Sequence, residues 1–285
     1  INSRKTLYIN SKLINNKKTR LAVFANYRIT QNSFKTDEKS LNSKVVYNQK
    51  LFNDFVNFNI VYETSSGNIA RQDYIYVKTE IGQGFYTWID YSNDGVQDFD
   101  EFEIAQFQDQ ANYLRIPLPN LRFIATQKAK WQQSIAVNFS KWKDDRGIKG
   151  TLSHISNQTF LSTDNEQERI GDSFNFNPFD FDENKLIGLD FNFRNSLYFN
   201  RNLQKFSTTY TFGNSKNKQQ YFIGNQENNI TINQLDFSHK FASFWLVDIM
   251  SKISENDLKT DNFNNRNYLI SSKEIYPKIS FLYNK

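Results

Sequence analysis

"RLAVFANYRIT", residues 20–30, carries an apolar residue at every odd position. Leu21, Val23, Ala25, Tyr27 and Ile29 fall on one side of an extended chain, and Arg20, Asn26 and Arg28 on the other. Side chains repeat every two residues along a strand, so this spacing predicts a strand with one apolar and one polar face.

The same period returns along the chain. Val56, Phe58, Ile60 and Tyr62 alternate with Asn57 and Asn59. Trp131, Ile135, Val137 and Phe139 oppose Lys130, Gln132, Ser134 and Asn138. Ile187, Leu189, Phe191 and Phe193 alternate with Gly188, Asp190, Asn192 and Arg194. Near the end, Ile275, Ile279, Phe281 and Tyr283 oppose Glu274, Lys278 and Ser280. With 16% aromatic residues in 285, the chain is too rich in core-forming side chains to be disordered.

Two architectures accommodate such strands. A soluble sandwich or barrel buries the apolar face. A transmembrane barrel turns it to lipid and keeps the polar face in the lumen. Mean hydropathy of −0.68 does not separate them, because only alternate residues of a barrel strand meet lipid. No apolar run approaches the ~20 residues of a membrane helix. Strand length does separate them. The apolar face ending at Phe139 extends back through Leu121, Phe123, Ala125 and Ala129, well past the ~5–6 residues of an ordinary strand.

Connections supply a second criterion. Short joints are expected at residues 15–18, 52–54, 141–146, 200–202 and 239–243. Long ones are expected at 31–42, 67–119, 161–185, 213–229 and 255–267. They alternate, as periplasmic turns and extracellular loops do in outer-membrane barrels. The expectation is therefore an all-β, antiparallel transmembrane β-barrel of roughly eleven strands. Residues 1–66 and 119–285 would be barrel strands, and 67–118 an extracellular insert carrying a calcium loop and a short helix. The first and last strands both descend, whereas bacterial barrels have even strand numbers, so the chain reads as a C-terminal part of a larger barrel. Trp142 and Trp245 lie beside short joints, where an interfacial belt belongs, and Trp131 near the outer interface.

The chemically pointed stretch is "DYSNDGVQDFDE", residues 90–101. Counting from Asp90, oxygen-bearing side chains fall at positions 1 (Asp90), 3 (Ser92), 5 (Asp94), 9 (Asp98) and 12 (Glu101), with Gly95 at 6. Ca²⁺ takes six to eight hard oxygens, so alternate residues of a tight loop would point inward. Val96 would offer its carbonyl and Glu101 two oxygens, making Asp90, Ser92, Asp94, Val96, Asp98 and Glu101 the expected ligands. The strand-like "GQGFYTWI" precedes the loop, and "EFEIAQFQDQA" after it allows a short helix. A single strand–loop–helix unit suits a structural ion better than a paired sensor.

Other chemistry is sparse. The chain has no cysteine, which excludes disulfides and thiolate metal sites. His154 and His239 have no catalytic partner at a recognisable spacing and read as lumen or interfacial residues, so no enzyme is expected. The net charge of +5 is dispersed, without the basic block of a nucleic-acid footprint. "FNFNPFDF", residues 174–181, reads as a strand extension or a packed loop, with ligand binding as the other option.

Residues 86–120, "YTWIDYSNDGVQDFDEFEIAQFQDQANYLRIPLPN", resemble a segment of large outer-membrane β-barrel proteins from Bacteroidota, and the loop itself resembles EF-hand and dockerin-type loops. The resemblance implies an outer-membrane, cell-surface location and a longer chain. Its expected partners are the lipid bilayer and other outer-membrane or surface subunits. The expected role is structural, or in transport or translocation. The alternative is a secreted β-rich module that binds a ligand, such as carbohydrate, through calcium-ordered loops.

Overall fold

The structure, a computed structural model, describes residues 3–31, 37–171, 173–179, 185–201, 203, 205–221, 224–241, 244–261 and 264–281. Eleven long strands follow one another as an antiparallel meander in a single sheet. They are β1 (Ser3–Asn15), β2 (Thr19–Gln31), β3 (Glu38–Leu51), β4 (Val56–Lys78), β7 (Tyr113–Asn138), β8 (Ile155–Glu168), β9 (Leu186–Phe199), β10 (Phe206–Tyr221), β11 (Gly224–Phe241), β12 (Trp245–Thr260) and β13 (Tyr268–Phe281). Two short strands, β5 (Tyr86–Trp88) and β6 (Phe102–Ile104), form a hairpin in the connection between β4 and β7.

The register converts the sequence alternation into two continuous faces, because cross-strand partners share a side. One row runs Val23, Val45, Tyr62, Trp131, Thr163, Phe191. The row beside it on the opposite face runs Lys44, Glu63, Lys130, Asp164, Asp190, Asn217. Opposite charges meet there, with Lys44 Nζ 2.6 Å from Glu63 and Lys128 Nζ 3.4 Å from Asp164. Among the described residues, only 173–179 packs on the apolar face, at Tyr62, Gln127, Trp131 and Asn165; elsewhere the strands pack against their neighbours in the meander. Leu235 stays 47% exposed and Ile279 68%. Among the described residues, the side chains buried completely are polar, namely Asn165, Thr126 and Thr163.

Two aromatic rows border the apolar band. At the end nearer the chain's short joints, the Phe139 ring stacks on Trp142 at 5.1 Å, and Phe55 adjoins both. The row continues through Phe199, Phe206, Phe237, His239 and Phe241, and Trp245 meets Phe281 at 5.0 Å. His154 packs on Phe199, so both histidines sit in this row. At the other border, Tyr62 adjoins Trp131 and Trp131 adjoins Phe179. The eight-residue step from Trp131 to Phe139 is roughly 27 Å of strand.

Several expectations need correction. The long connection at 213–229 does not exist, because β10 and β11 stay paired up to Tyr221 opposite Gly224. Polar side chains hold this extension together: Lys216 pairs with Glu227 at 2.9 Å, and Asn214 bonds Asn229 and Thr231. The joint drawn at 141–146 spans 139–154 and contains the only α-helix among the described residues, α1 (Ile148–Leu152). The boundaries at 67 and 118 fall inside strands, since β4 and β7 remain paired out to Lys78 and Tyr113. The insert proper is 79–112. Its short helix is reduced to the 3-10 turns Phe99–Glu101 and Gln108–Gln110, because Phe102, Glu103 and Ile104 are strand, paired with Trp88, Thr87 and Tyr86. Phe102 gains more from stacking on Tyr76 (4.0 Å, 7°) than one helical turn would supply.

Barrel closure is not seen: β1 and β13 are the two ends of the sheet order, with no pairing between them among the described residues. The 174–181 segment lies within the described residues only up to Phe179, and there it packs on the sheet. Tyr62 Oη donates to the Phe176 carbonyl at 2.7 Å, and Asn165 Nδ2 to that of Pro178 at 2.7 Å. Asn175 N–H donates to Gln127 Oε1 at 2.8 Å. Tyr283 of the last predicted strand lies outside the described residues.

Candidate calcium loop

The β5–β6 hairpin fixes both ends of the loop. Ile89 N–H donates to the Glu101 carbonyl at 3.0 Å, closing the ring of residues 89–101. Beneath it lies an aromatic floor of Tyr74, Tyr76, Phe99, Phe102 and Tyr113. The Arg115 guanidinium covers Tyr74 at 4.3 Å. Burial raises the pKa of Tyr76 and Tyr86 above the ordinary tyrosine value. Gly84 is what lets the strands approach: a Cβ there would lie 2.5 Å from Tyr113 N and 2.6 Å from Tyr113 O.

Glu101 is the hub of the loop and is only 3% exposed. Its Oε1 accepts from the Ser92 N–H (3.1 Å) and the Ser92 hydroxyl (2.9 Å), and its Oε2 from Trp88 Nε1 (2.9 Å). Hydrogen bonds to the charged form favour it. The Ser92 N–H, then the Trp88 indole, hold the Glu101 pKa down to about 2. Asp90 organises the turn: Oδ2 accepts from Gly95 N–H (3.0 Å) and Oδ1 from Asp94 N–H (3.3 Å), with Ser92 Oγ also 3.3 Å from Oδ1. Asn93 and Gly95 take the left-handed backbone (φ 57° and 73°) that this turn requires.

Asp90, Ser92 and Glu101 are thus drawn together, with Ser92 Oγ between the two carboxylates. The other expected ligands are not. Asp94 Oδ1 turns back onto the Val96 N–H at 2.7 Å, and Val96 is exposed. The Asp98 carbonyl accepts from the Glu101 N–H at 3.2 Å, at the start of the 3-10 turn Phe99–Glu101. Among the described residues, no three His, Asp or Glu side chains converge as a metal-holding group. The donor set of Asp90, Ser92 and Glu101 fits a hard cation; the arrangement of Asp94 and Asp98 does not yet complete its shell.

Three contacts escape spacing rules. Trp88 is the donor that fixes Glu101. Gln97, at the eighth loop position, donates to Tyr113 Oη at 2.7 Å and ties the loop to the floor. Tyr91 Oη donates to Glu103 at 2.8 Å, and this bond raises the Tyr91 pKa. Polar residues inside an aromatic stretch are the only sequence signal for them. Comparison with family models, curated proteins and solved structures returned no match.

Proposed function

We propose that the sheet is part of the wall of an outer-membrane β-barrel with a structural or transport role, and that its surface insert is stiffened by Ca²⁺. The observation that carries this reading is the apolar face, which the described residues leave uncovered except where 173–179 packs on it. A soluble domain must bury such a face in a second layer, whereas a barrel wall offers it to lipid. The two aromatic rows at its borders match the girdles of such walls. One polar cluster within the band satisfies itself, as lipid demands. Asn157 and Asn195 exchange hydrogen bonds at 3.1 and 3.2 Å, and Thr159 joins them. In this reading, Asp90, Ser92 and Glu101 supply the first oxygens of the ion site, and Asp94, Asp98 and the Val96 carbonyl join on binding.

Detergent partitioning tests the proposal. The chain is expected to enter the detergent phase and to keep its β-structure only with detergent or lipid. A folded, detergent-free monomer in the aqueous phase sinks it.

A further inference from the structure

The sheet opens at one place. β3 and β4 pair regularly only from Leu51 opposite Val56 to Ser43 opposite Thr64. Beyond that, the Ser66 hydroxyl substitutes for the ladder, accepting from Leu41 N–H (3.0 Å) and donating to the Leu41 carbonyl (3.1 Å). Above Ser66 the β2–β3 limb separates from the β4–β7 limb, leaving a cleft of about 990 Å³. Arg4, Arg28 and Lys39 line it from one limb, and Arg169, whose N–H is held by the Ala125 carbonyl, from the other. Four cationic side chains there face two carboxylates, Asp37 and Glu38.

Two features are costly without a ligand. Arg4 and Arg28 are diagonal neighbours on one face, since Arg4 pairs with Thr30 and Arg28 with Thr6, and like charges so placed repel. Arg169 stacks on Phe174 at 4.8 Å, which fixes the plane of its guanidinium, yet among the described residues its buried Nε and Nη1 have no hydrogen-bond partner. A buried donor left unpaired is penalised, and a planar guanidinium matches oxyanions bidentately. The geometry points to this cleft as a binding site for a phosphate-bearing anion, with Arg169 as the bidentate anchor and Arg28 and Arg4 as the facing charges. The ligand is either a free phosphate or the headgroup of an anionic lipid. The site does not depend on the membrane reading, because the cleft is a property of the sheet.

Titration of the full chain in neutral detergent with inorganic pyrophosphate tests it, beside flotation with phosphatidylglycerol-containing and neutral vesicles. Arg169→Gln and Arg28→Gln are each expected to weaken whichever interaction is seen by tenfold or more, and Arg169→Lys to recover only part. Circular dichroism controls for folding, and Arg28 on the paired strand β2 serves if Arg169→Gln misfolds. Pyrophosphate binding identifies a free phosphate, and selective flotation with anionic vesicles alone identifies a lipid headgroup. The proposal is overturned if neither probe binds, or if folded Arg28→Gln and Arg169→Gln bind as the parent does.

Discussion

Glu101 Oε1 receives both polar hydrogens of Ser92, the backbone N–H at 3.1 Å and the hydroxyl at 2.9 Å. Nine residues of acidic loop are thereby folded onto one carboxylate. The Glu101 pKa lies at about 2, against 4.5 for an unperturbed group. A depressed folded pKa means a contribution fully present above the unfolded value and lost as pH falls through the folded one. The loop is therefore expected to loosen between about pH 4.5 and 2. The Trp88 indole N–H resonance reports it directly: its acid transition should centre near 2 and vanish in Glu101→Gln. A midpoint near 4.5 contradicts the hydrogen-bond assignment.

Calcium should act through the same atoms. Sites of extracellular modules bind at roughly 10⁻⁴–10⁻³ M, so millimolar Ca²⁺ is expected to raise the melting temperature of the parent. Asp90→Ala and Glu101→Ala should abolish that rise, while Asp94→Asn should only reduce it. Calorimetric titration checks affinity independently. An identical response to Ca²⁺ and to chelator in parent and Glu101→Ala removes the ion from the account.

Gly84 predicts a packing defect without chemistry. A methyl there meets the Tyr113 backbone at 2.5 Å, and overpacking of this kind typically costs about 1–3 kcal/mol. Gly84→Ala should accelerate hydrogen exchange and proteolysis in residues 79–112 and leave β8 to β13 unchanged. Uniform protection across both regions would show that the strands can move apart freely.

The two faces should respond oppositely to charge. Leu235 shares the apolar face with Tyr210 and Ser251, whereas Gln234 shares the polar face with Thr211 and Lys252. In a bilayer, Leu235→Arg is expected to cost about 2–4 kcal/mol. Gln234→Arg should stay within about 0.5 kcal/mol, as surface changes do. Denaturant titration of folded protein in lipid gives both numbers. Equal effects would end the assignment of the apolar face to lipid.

Asn157 and Asn195 offer a double-mutant cycle. Either single change to Leu removes the reciprocal amide bonds and leaves the other amide with Thr159 as its side-chain partner, at a cost of about 1–3 kcal/mol. The double change should recover most of that loss. Additive losses would indicate that the two amides act independently.

The strands were legible because period-two alternation is a local property: Leu21 to Ile29 and Val56 to Tyr62 fix their own faces without reference to any neighbour. Eleven long strands and the turn at Gly95 followed from such local signals. Strand ends were not legible. Polar residues such as Lys216 and Glu227 resemble loop in sequence but continue the ladder once a partner strand satisfies them. The segment after Glu101 reads as a short helix in sequence; the rings of Tyr76 and Tyr113, distant in sequence, make Phe102 a strand residue. The sequence by itself determined the alternation and the acidic loop's oxygen spacing. Only the tertiary structure decided that Trp88 and Ser92 hold Glu101, that Ser66 ends the β3–β4 ladder, and that Arg169 and Arg28 line one cleft. Those relationships join residues far apart along the chain, and no local pattern encodes them.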